Sequence, residues 1–534
     1  MSEWKWQVPE QFNIGVACTD AQASSKNADQ IAMIVEDAEL GEERISYKQL
    51  AEHSSRFAAA LQAQGVKPGA RVLVRLPNSL AYPISFFGAM KAGCIAVPSS
   101  TLLSASEMAY LAKDSEADVL VAHVDMWPEL QEKLDDVPSL KQVWLSGCDR
   151  LPANVQSTHV KLHALRDLLQ TNAPINEAHP TRADDPAYLV YTSGTTGYPK
   201  GVLHAHRALI GRLPAATNWF DFKNQDRILH SGKFNWTYVL GTALMDPLYQ
   251  GHTVIAYEGP NDPGLWTRLI AKHRCTIFIG VPTIYRQILQ KTSASKHDVP
   301  TLRHCMCAGE HLSDDVLIAW QERFGQPIFE AIGMSEFSYY ISHPPHKKPQ
   351  PGAAGVRQPG HDVQLVDPES LQPVPKGEEG MIAIPLTDPG LFLEYWRLPE
   401  ENAKQRREGL FLTGDFAWED EQGYIWFMGR KDDVIKSFGY RVSPHEIERV
   451  MKSHPAIADC VTLGQVLDAS KTLVVSCVIR RPGVETSEQD LLAFAQKELA
   501  GYKVPKRIFF FDEFPRTKNG KVLRKQLIEM LPQA

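Results

Sequence analysis

The stretch Tyr191-Thr-Ser-Gly-Thr-Thr-Gly-Tyr-Pro-Lys-Gly-Val202 sets four small hydroxyl residues, three glycines and one lysine into twelve positions, directly after the apolar run 187–190. Glycine lets backbone N–H groups turn toward an anion at close range, and Thr192, Ser193, Thr195 and Thr196, spaced by Gly194 and Gly197, add short donors without bulk. Lys200 supplies a positive charge. The combination reads as a phosphate-handling loop, although a plain surface turn can share its composition. It is not a Walker loop, because Lys200 follows Pro199 and precedes Gly201. Asp184-Asp185-Pro186 breaks the chain before a strand over 187–191, so the loop stands at a strand end, where open α/β sheets place ligands. Residues 203–213 read as the helix that follows. On it His204 and His206 would lie on different faces, which argues against a shared metal.

Working outward, strand and helix patterns alternate. Residues 31–35 read as a strand, and Ser46 is a natural N-cap for a helix through Leu50, His53, Phe57 and Leu61, closed at Gly65. A strand over 71–76, a helix over 85–92 and a strand over 94–97 follow, then strands over 117–123 and 142–145. Strand, helix, strand at this pitch implies parallel α/β units. Residues 154–180 are mostly polar and read as a connector with one short helix over 162–169. Strands are expected over 253–256, 277–281, 304–308, 363–366 and 381–384, and the glycine- and proline-dense stretch 352–360 opens a smaller β-rich unit.

Bulk properties narrow the field. A chain of 534 residues exceeds one ordinary core, so at least two domains are expected. The net charge of −7 does not favour nucleic acid, and an anionic substrate must be drawn in by a local basic patch. The eight scattered cysteines form no C-x-x-C pair and read as buried thiols in a reducing compartment. The N-terminus has no charged segment followed by an apolar one, and no long apolar run occurs later, so the reading is a soluble cytoplasmic protein without integral membrane association. A monomer and a homodimer are equally compatible with the sequence.

Further segments fall in a set order. Trp236-Thr237 with Gly241 mixes aromatic and small residues. Gly309-Glu310-His311-Leu312 follows a strand. Phe329-Glu330-Ala331-Ile332-Gly333-Met334-Ser335-Glu336, Leu412-Thr413-Gly414-Asp415, Gly429-Arg430-Lys431-Asp432 and Gly439-Tyr440-Arg441 come next, and Pro515-Arg-Thr-Lys-Asn-Gly520-Lys521 lies near the end. Together with the opening loop, this series resembles the adenylate-forming superfamily of acyl-CoA synthetases, peptide-synthetase adenylation domains and luciferases. The resemblance runs from Ser46 to Lys525. Two departures stand out: Ile332 replaces the usual aromatic residue over the adenine, and Ser335 replaces a threonine. An aliphatic side chain still covers a purine, and serine keeps the hydroxyl.

The resemblance implies an α/β fold: a large N-terminal domain (1–431) of stacked, mostly parallel sheets with helices and a small β-rich subdomain (about 352–431), then a small mobile C-terminal α/β lid (432–534) hinged at Asp432. It implies an ATP-dependent acid–thiol ligase that makes an acyl-adenylate with release of pyrophosphate and passes the acyl group to CoA. A separate carrier protein is the alternative acceptor, and a non-catalytic nucleotide-binding protein the remote one. Catalysis would fall to Lys521, Glu336 as the Mg²⁺ ligand, and Lys200. ATP or AMP would meet the loop from Thr192 to Lys200, Gly309, Glu310, Glu330, Ala331, Ile332, Gly333, Met334, Ser335, Asp415 on the ribose diol, Arg430 and Lys521. CoA would meet Lys436, Ser437, Phe438, Gly439, Tyr440 and Arg441. Trp236, Thr237 and Gly241 would line a pocket of limited depth for a short, medium, branched or aryl acid.

Overall fold

The computed structural model describes residues 4–192, 199–310, 312–430, 435–437, 440–468, 471–499, 501, 503–516 and 522–532. Of residues 430, 436, 437, 440, 441, 446, 467, 468 and 471 it describes the backbone alone. Among these residues two large sheets dominate. One has eight strands in the order 394–395, 200–205, 186–192, 95–98, 71–75, 117–123, 142–146 and 161–164. The other has nine, in the order 356–357, 338–342, 328–334, 304–308, 277–280, 227–230, 253–258, 31–37 and 41–46. Each is parallel through its middle and carries antiparallel strands at an edge.

Helices Tyr47–Ala63 and Ala81–Lys91 lie between the sheets. Phe57, Phe86 and Phe87 join one core with Val72 and Tyr188 of the first sheet and Met33 and Val254 of the second. Helix Ala81–Lys91 is buried from Tyr82 to Lys91, as its all-round apolar sequence requires. Helices Ala105–Asp114 and Trp127–Leu134 cover the outer face of the first sheet, and Leu265–His273, Pro282–Lys291 and Asp314–Phe324 that of the second. The result is a stack of five layers, helix and sheet alternating. Ser46 caps its helix as expected, its hydroxyl accepting from Gln49 N while the Gln49 side chain accepts from Ser46 N.

A five-stranded sheet with Gln364–Val366, Gly380–Pro385 and Leu410–Glu419 follows. The strands at 356–357 and 394–395, close to it in sequence, extend the two large sheets instead. The C-terminal part pairs Ile457–Asp468 with Lys471–Arg480 and the latter with Arg507–Phe510, under helices Pro444–Lys452 and Glu488–Glu498. No helix among the described residues is long and apolar enough to cross a membrane.

Three expectations need correction. Residues 203–213 are not a helix: Lys200–Ala205 is a strand antiparallel to Pro186–Thr192, followed by short turns at His206–Ala208 and Ile210–Arg212. All of residues 201–205 are buried, so the apolar run has no polar face and no 3.6-residue period to reveal it. The helix expected over 85–92 begins four residues earlier, at Ala81, because its first turn is also apolar. Residues 161–164 form a strand ahead of helix Leu165–Thr171, which shortens the helix expected over 162–169.

Candidate functional site

Thr192 pairs with Lys200, so the strands before and after residues 193–198 are antiparallel neighbours, and both meet at the C-terminal end of the strand Pro186–Thr192. Ser193, Gly194, Thr195, Thr196 and Gly197 lie outside the described residues; Lys200 is within them. Its ammonium meets Glu401 Oε1 at 2.8 Å and stands 5.6 Å from the centre of the Tyr395 ring. Tyr395 is there because the two-residue strand Glu394–Tyr395 pairs with Val202 and Leu203. The Tyr395 hydroxyl donates to Glu336 Oε1 at 2.8 Å, so one phenol joins the surroundings of Lys200 to the buried Glu336 carboxylate. Lys200 also holds the Glu401 carboxyl below its usual range by hydrogen bonding to it.

Glu336 follows the strand Ile328–Met334, and its neighbours come from other strand ends. His204 Nε2 meets the Ser335 carbonyl oxygen at 2.7 Å, and the Thr237 and Ser335 hydroxyls approach at 3.5 Å. Gly333 is required where it stands, since a β-carbon there would collide with the Ser338 carbonyl of the returning strand. Ile332 and Met334 are half-buried and Gly333 is exposed at this strand end. The strand His304–Ala308 delivers Gly309 with a φ of +90°, and a β-carbon on it would sit 3.2 Å from the Trp236 indole. Trp236, Thr237, Gly309 and Ser335 therefore border one another. Gly241 follows Thr237 by four residues in one continuous helical segment, and a β-carbon on it would face the buried Arg212–Asp246 ion pair.

Two acidic residues of the series have structural engagements. Glu310 accepts a hydrogen bond from the Thr283 hydroxyl at 2.7 Å. Glu330 is buried beside Ala331 in its strand and accepts from Leu312 N at 3.0 Å, which fixes the turn after Gly309; burial pushes its carboxyl up to about 8. Asp415 is buried in the strand Leu410–Glu419 and pairs in register with Arg430, whose side chain is not described. This strand is tied to Glu336 through Phe392: Phe392 N donates to the Glu336 carbonyl at 2.9 Å, and its ring packs on Phe411 at 5.1 Å.

The CoA candidates Lys436, Ser437, Tyr440 and Arg441 lie on two paired antiparallel strands, Ser437 opposite Tyr440 and Lys436 opposite Arg441. Phe438 and Gly439 lie outside the described residues, as do Asp432 and Lys521. Among the described residues, the one acidic and histidine cluster dense enough to cage a metal is Glu36, Glu42 and His273, at the opposite edge of the nine-stranded sheet from Glu336. There the Lys272 ammonium already bonds Glu36 at 2.6 Å. Glu336 thus offers a single carboxylate, a donor set suited to Mg²⁺, which commonly takes one or two carboxylates and completes its shell with phosphate oxygens and water.

Sequence reasoning missed Tyr395, Glu401, Arg212 and Asp246. For the last two a signal existed: each is a lone charge in an apolar run, and such a charge must find a partner when buried.

Comparison with known proteins follows the same order of segments. The profile of the family described as AMP-binding enzyme matches residues 20–396, and that described as AMP-binding enzyme C-terminal domain matches residues 446–521. The chain is 31% identical over 497 residues to a 3-hydroxybenzoate–CoA ligase of Aromatoleum sp. (strain CIB), with 92% of each protein covered. It is 32% identical over 488 residues to a benzoate–CoA ligase of Thauera aromatica, with 90% of each covered. Among solved structures, the anthranilate CoA ligase AuaEII in complex with anthranoyl-AMP superposes with a TM-score of 0.87 at 28% identity, covering 98% of both chains.

Proposed function

The chain belongs to the family of AMP-binding enzymes, and from that premise we propose that it joins a compact aryl carboxylic acid to CoA through an acyl-adenylate. In the first half-reaction the carboxylate oxygen attacks the α-phosphorus of ATP and pyrophosphate leaves. In the second the CoA thiol attacks the acyl carbon, its proton is lost, and AMP leaves.

The obstacle in the first step is the meeting of two anions. Lys200, with Thr192 and residues Ser193–Gly197 between them in the chain, anchors the triphosphate, and Glu336 would hold Mg²⁺. When bound, that ion supplies charge neutralisation on the phosphate oxygens. Asp415 accepts from the ribose diol and Arg430 lies beside it, while Gly309, Glu310 and Ile332 to Ser335 border the adenine. Lys521 bridges the carboxylate and the α-phosphate. Each preorganised donor of this kind is worth about 3 kcal/mol in the transition state. The small C-terminal domain, turning about Asp432, then withdraws Lys521 and brings Lys436 to Arg441 to the adenylate for the thiol step.

The observation that carries this reading is the chain of contacts from Lys200 over Tyr395 to Glu336, a cation and a carboxylate held at neighbouring strand ends. The indole of Trp236 against Gly309 supports a short, flat acid pocket, and relatives named for benzoate and hydroxybenzoate support an aryl acid.

ATP–pyrophosphate exchange over acetate to decanoate, palmitate, benzoate, hydroxybenzoates and aminobenzoates tests it. Benzoates should give the highest kcat/KM, with thioester formed on addition of CoA. Preference for palmitate would overturn the aryl pocket, and no exchange with any acid would overturn adenylation.

A further inference from the structure

The partner of Lys200 is not among the residues that adenylation is expected to use. Glu401 lies in the first turn of the short helix Pro399–Gln405, where an acidic side chain is favourable. It sits 201 positions from Lys200 in the chain, yet its carboxylate is 2.8 Å from the ammonium, with the two side chains 22% and 15% exposed. The helix is pinned: Asn402 Oδ1 accepts from Tyr395 N at 2.8 Å, and Asn402 Nδ2 donates to Tyr395 O at 2.9 Å. Glu401 is therefore held at a fixed height beside the Tyr395 ring, while Lys200 reaches it on a flexible four-carbon stem. Of the two partners, the lysine is the one free to swing.

A triphosphate that reaches Lys200 brings several negative charges toward that lysine and toward Glu401 as well. Lys200 cannot give all its charge to both anions, and two anions at one ammonium repel each other. We propose that Glu401 is an exchange counter-ion: it holds Lys200 while the phosphate site is empty, yields the lysine to the triphosphate, and takes it back as pyrophosphate departs. This rests on the reading of Lys200 as the triphosphate anchor. A lysine with no competing carboxylate would grip ATP harder, but would also grip pyrophosphate harder and so favour the reverse reaction. Glu401 thus weakens both complexes together and lets the product leave. The partial exposure of the pair suits this role, since solvent keeps its strength low enough to be exchanged.

The test compares wild type with Glu401→Gln, which keeps the shape and removes the charge. Binding of magnesium pyrophosphate is read by calorimetry, and KM for ATP and inhibition by pyrophosphate are read in thioester formation. Tighter pyrophosphate binding and a lower KM, each by about two- to fivefold at low salt and less at high salt, are expected from the strength of such a pair. In a Lys200→Met background the same substitution should change neither constant. Unchanged or weaker binding in Glu401→Gln would overturn the exchange, and would instead make Glu401 a residue that merely positions Lys200. If wild type showed no ATP–pyrophosphate exchange with any acid while the calorimetric tightening appeared, adenylation would fail and the exchange would stand.

Discussion

Two ion pairs of nearly equal length have different surroundings. Arg212 Nε meets Asp246 Oδ1 at 2.9 Å with side chains 3% and 9% exposed, whereas Lys200 meets Glu401 at 2.8 Å with 15% and 22% exposed. The first lies between the sheets behind Gly241, where Arg212 also approaches the Tyr188 hydroxyl at 3.4 Å. Burial pushes Asp246 up further than Arg212 pulls it down, while hydrogen bonding to Lys200 keeps Glu401 low. Among the described residues Arg212 Nη2 and Asp246 Oδ2 have no hydrogen-bond partner. Distance therefore does not decide what an ion pair does. In the buried pair neither charge can separate without facing apolar protein, so the pair is locked. In the partly exposed pair water can replace either partner, so it can be exchanged.

The largest expected effect breaks the locked pair. Arg212→Met leaves Asp246 buried without its cation and should cost about 3–5 kcal/mol in urea unfolding, with most of the loss recovered when Asp246 is also made apolar. A loss below about 1 kcal/mol would erase the distinction between the pairs. The exchangeable pair should show the reverse profile. Lys200→Met should change unfolding free energy by less than about 1 kcal/mol, yet under the proposed role of Lys200 as triphosphate anchor it should reduce the kcat/KM of thioester formation by about two to three orders of magnitude. Equal losses of stability in both variants would mean that Lys200 is a structural residue.

How much of this could be read beforehand follows from the range of each interaction. The opening stretch, the parallel strands on either side of it and the segments around Glu336 and Asp415 are local patterns, and they were legible. The antiparallel return at Lys200–Ala205 was not, because a strand buried on both faces lacks the alternation that would separate it from a helix. Tyr395 and Glu401 were out of reach for another reason. They approach Lys200 only because two residues, Glu394 and Tyr395, pair with a hairpin nearly two hundred positions earlier. Glu330 is an intermediate case: its place in the series was visible, but its use as a brace for the turn at Leu312 depends on the register of adjacent strands, Cys307 opposite Glu330. His204 was placed on a helix, on a different face from His206, and became a buried neighbour of the locked pair once that segment proved to be a strand.

That histidine provides the smallest of these effects, one with a defined sign. His204 stacks on Tyr188 at 4.6 Å, and its Nε2 donates to the Ser335 carbonyl in the tautomer this contact requires. Burial lowers its pKa from 6.5 to about 3. Between those values the unfolded chain binds a proton that the folded chain refuses. Its contribution to stability is therefore complete above pH 6.5 and is lost as pH falls, by up to about 1.4 kcal/mol per pH unit. His206, His230 and His304, lowered to about 4, 3 and 4 by burial, add slopes of the same sign. His204→Gln, whose amide can still donate to Ser335, should remove one proton from the slope measured by urea unfolding between pH 4.5 and 6. Glu401→Gln should leave the slope unchanged in the upper part of that window, above about pH 5.5, where the carboxyl is ionised in the folded and the unfolded chain alike. If the Glu401 variant altered the slope there and the His204 variant did not, the proton-sensitive layer would lie at the Lys200–Glu401 pair and not at the buried histidine beside Arg212 and Asp246.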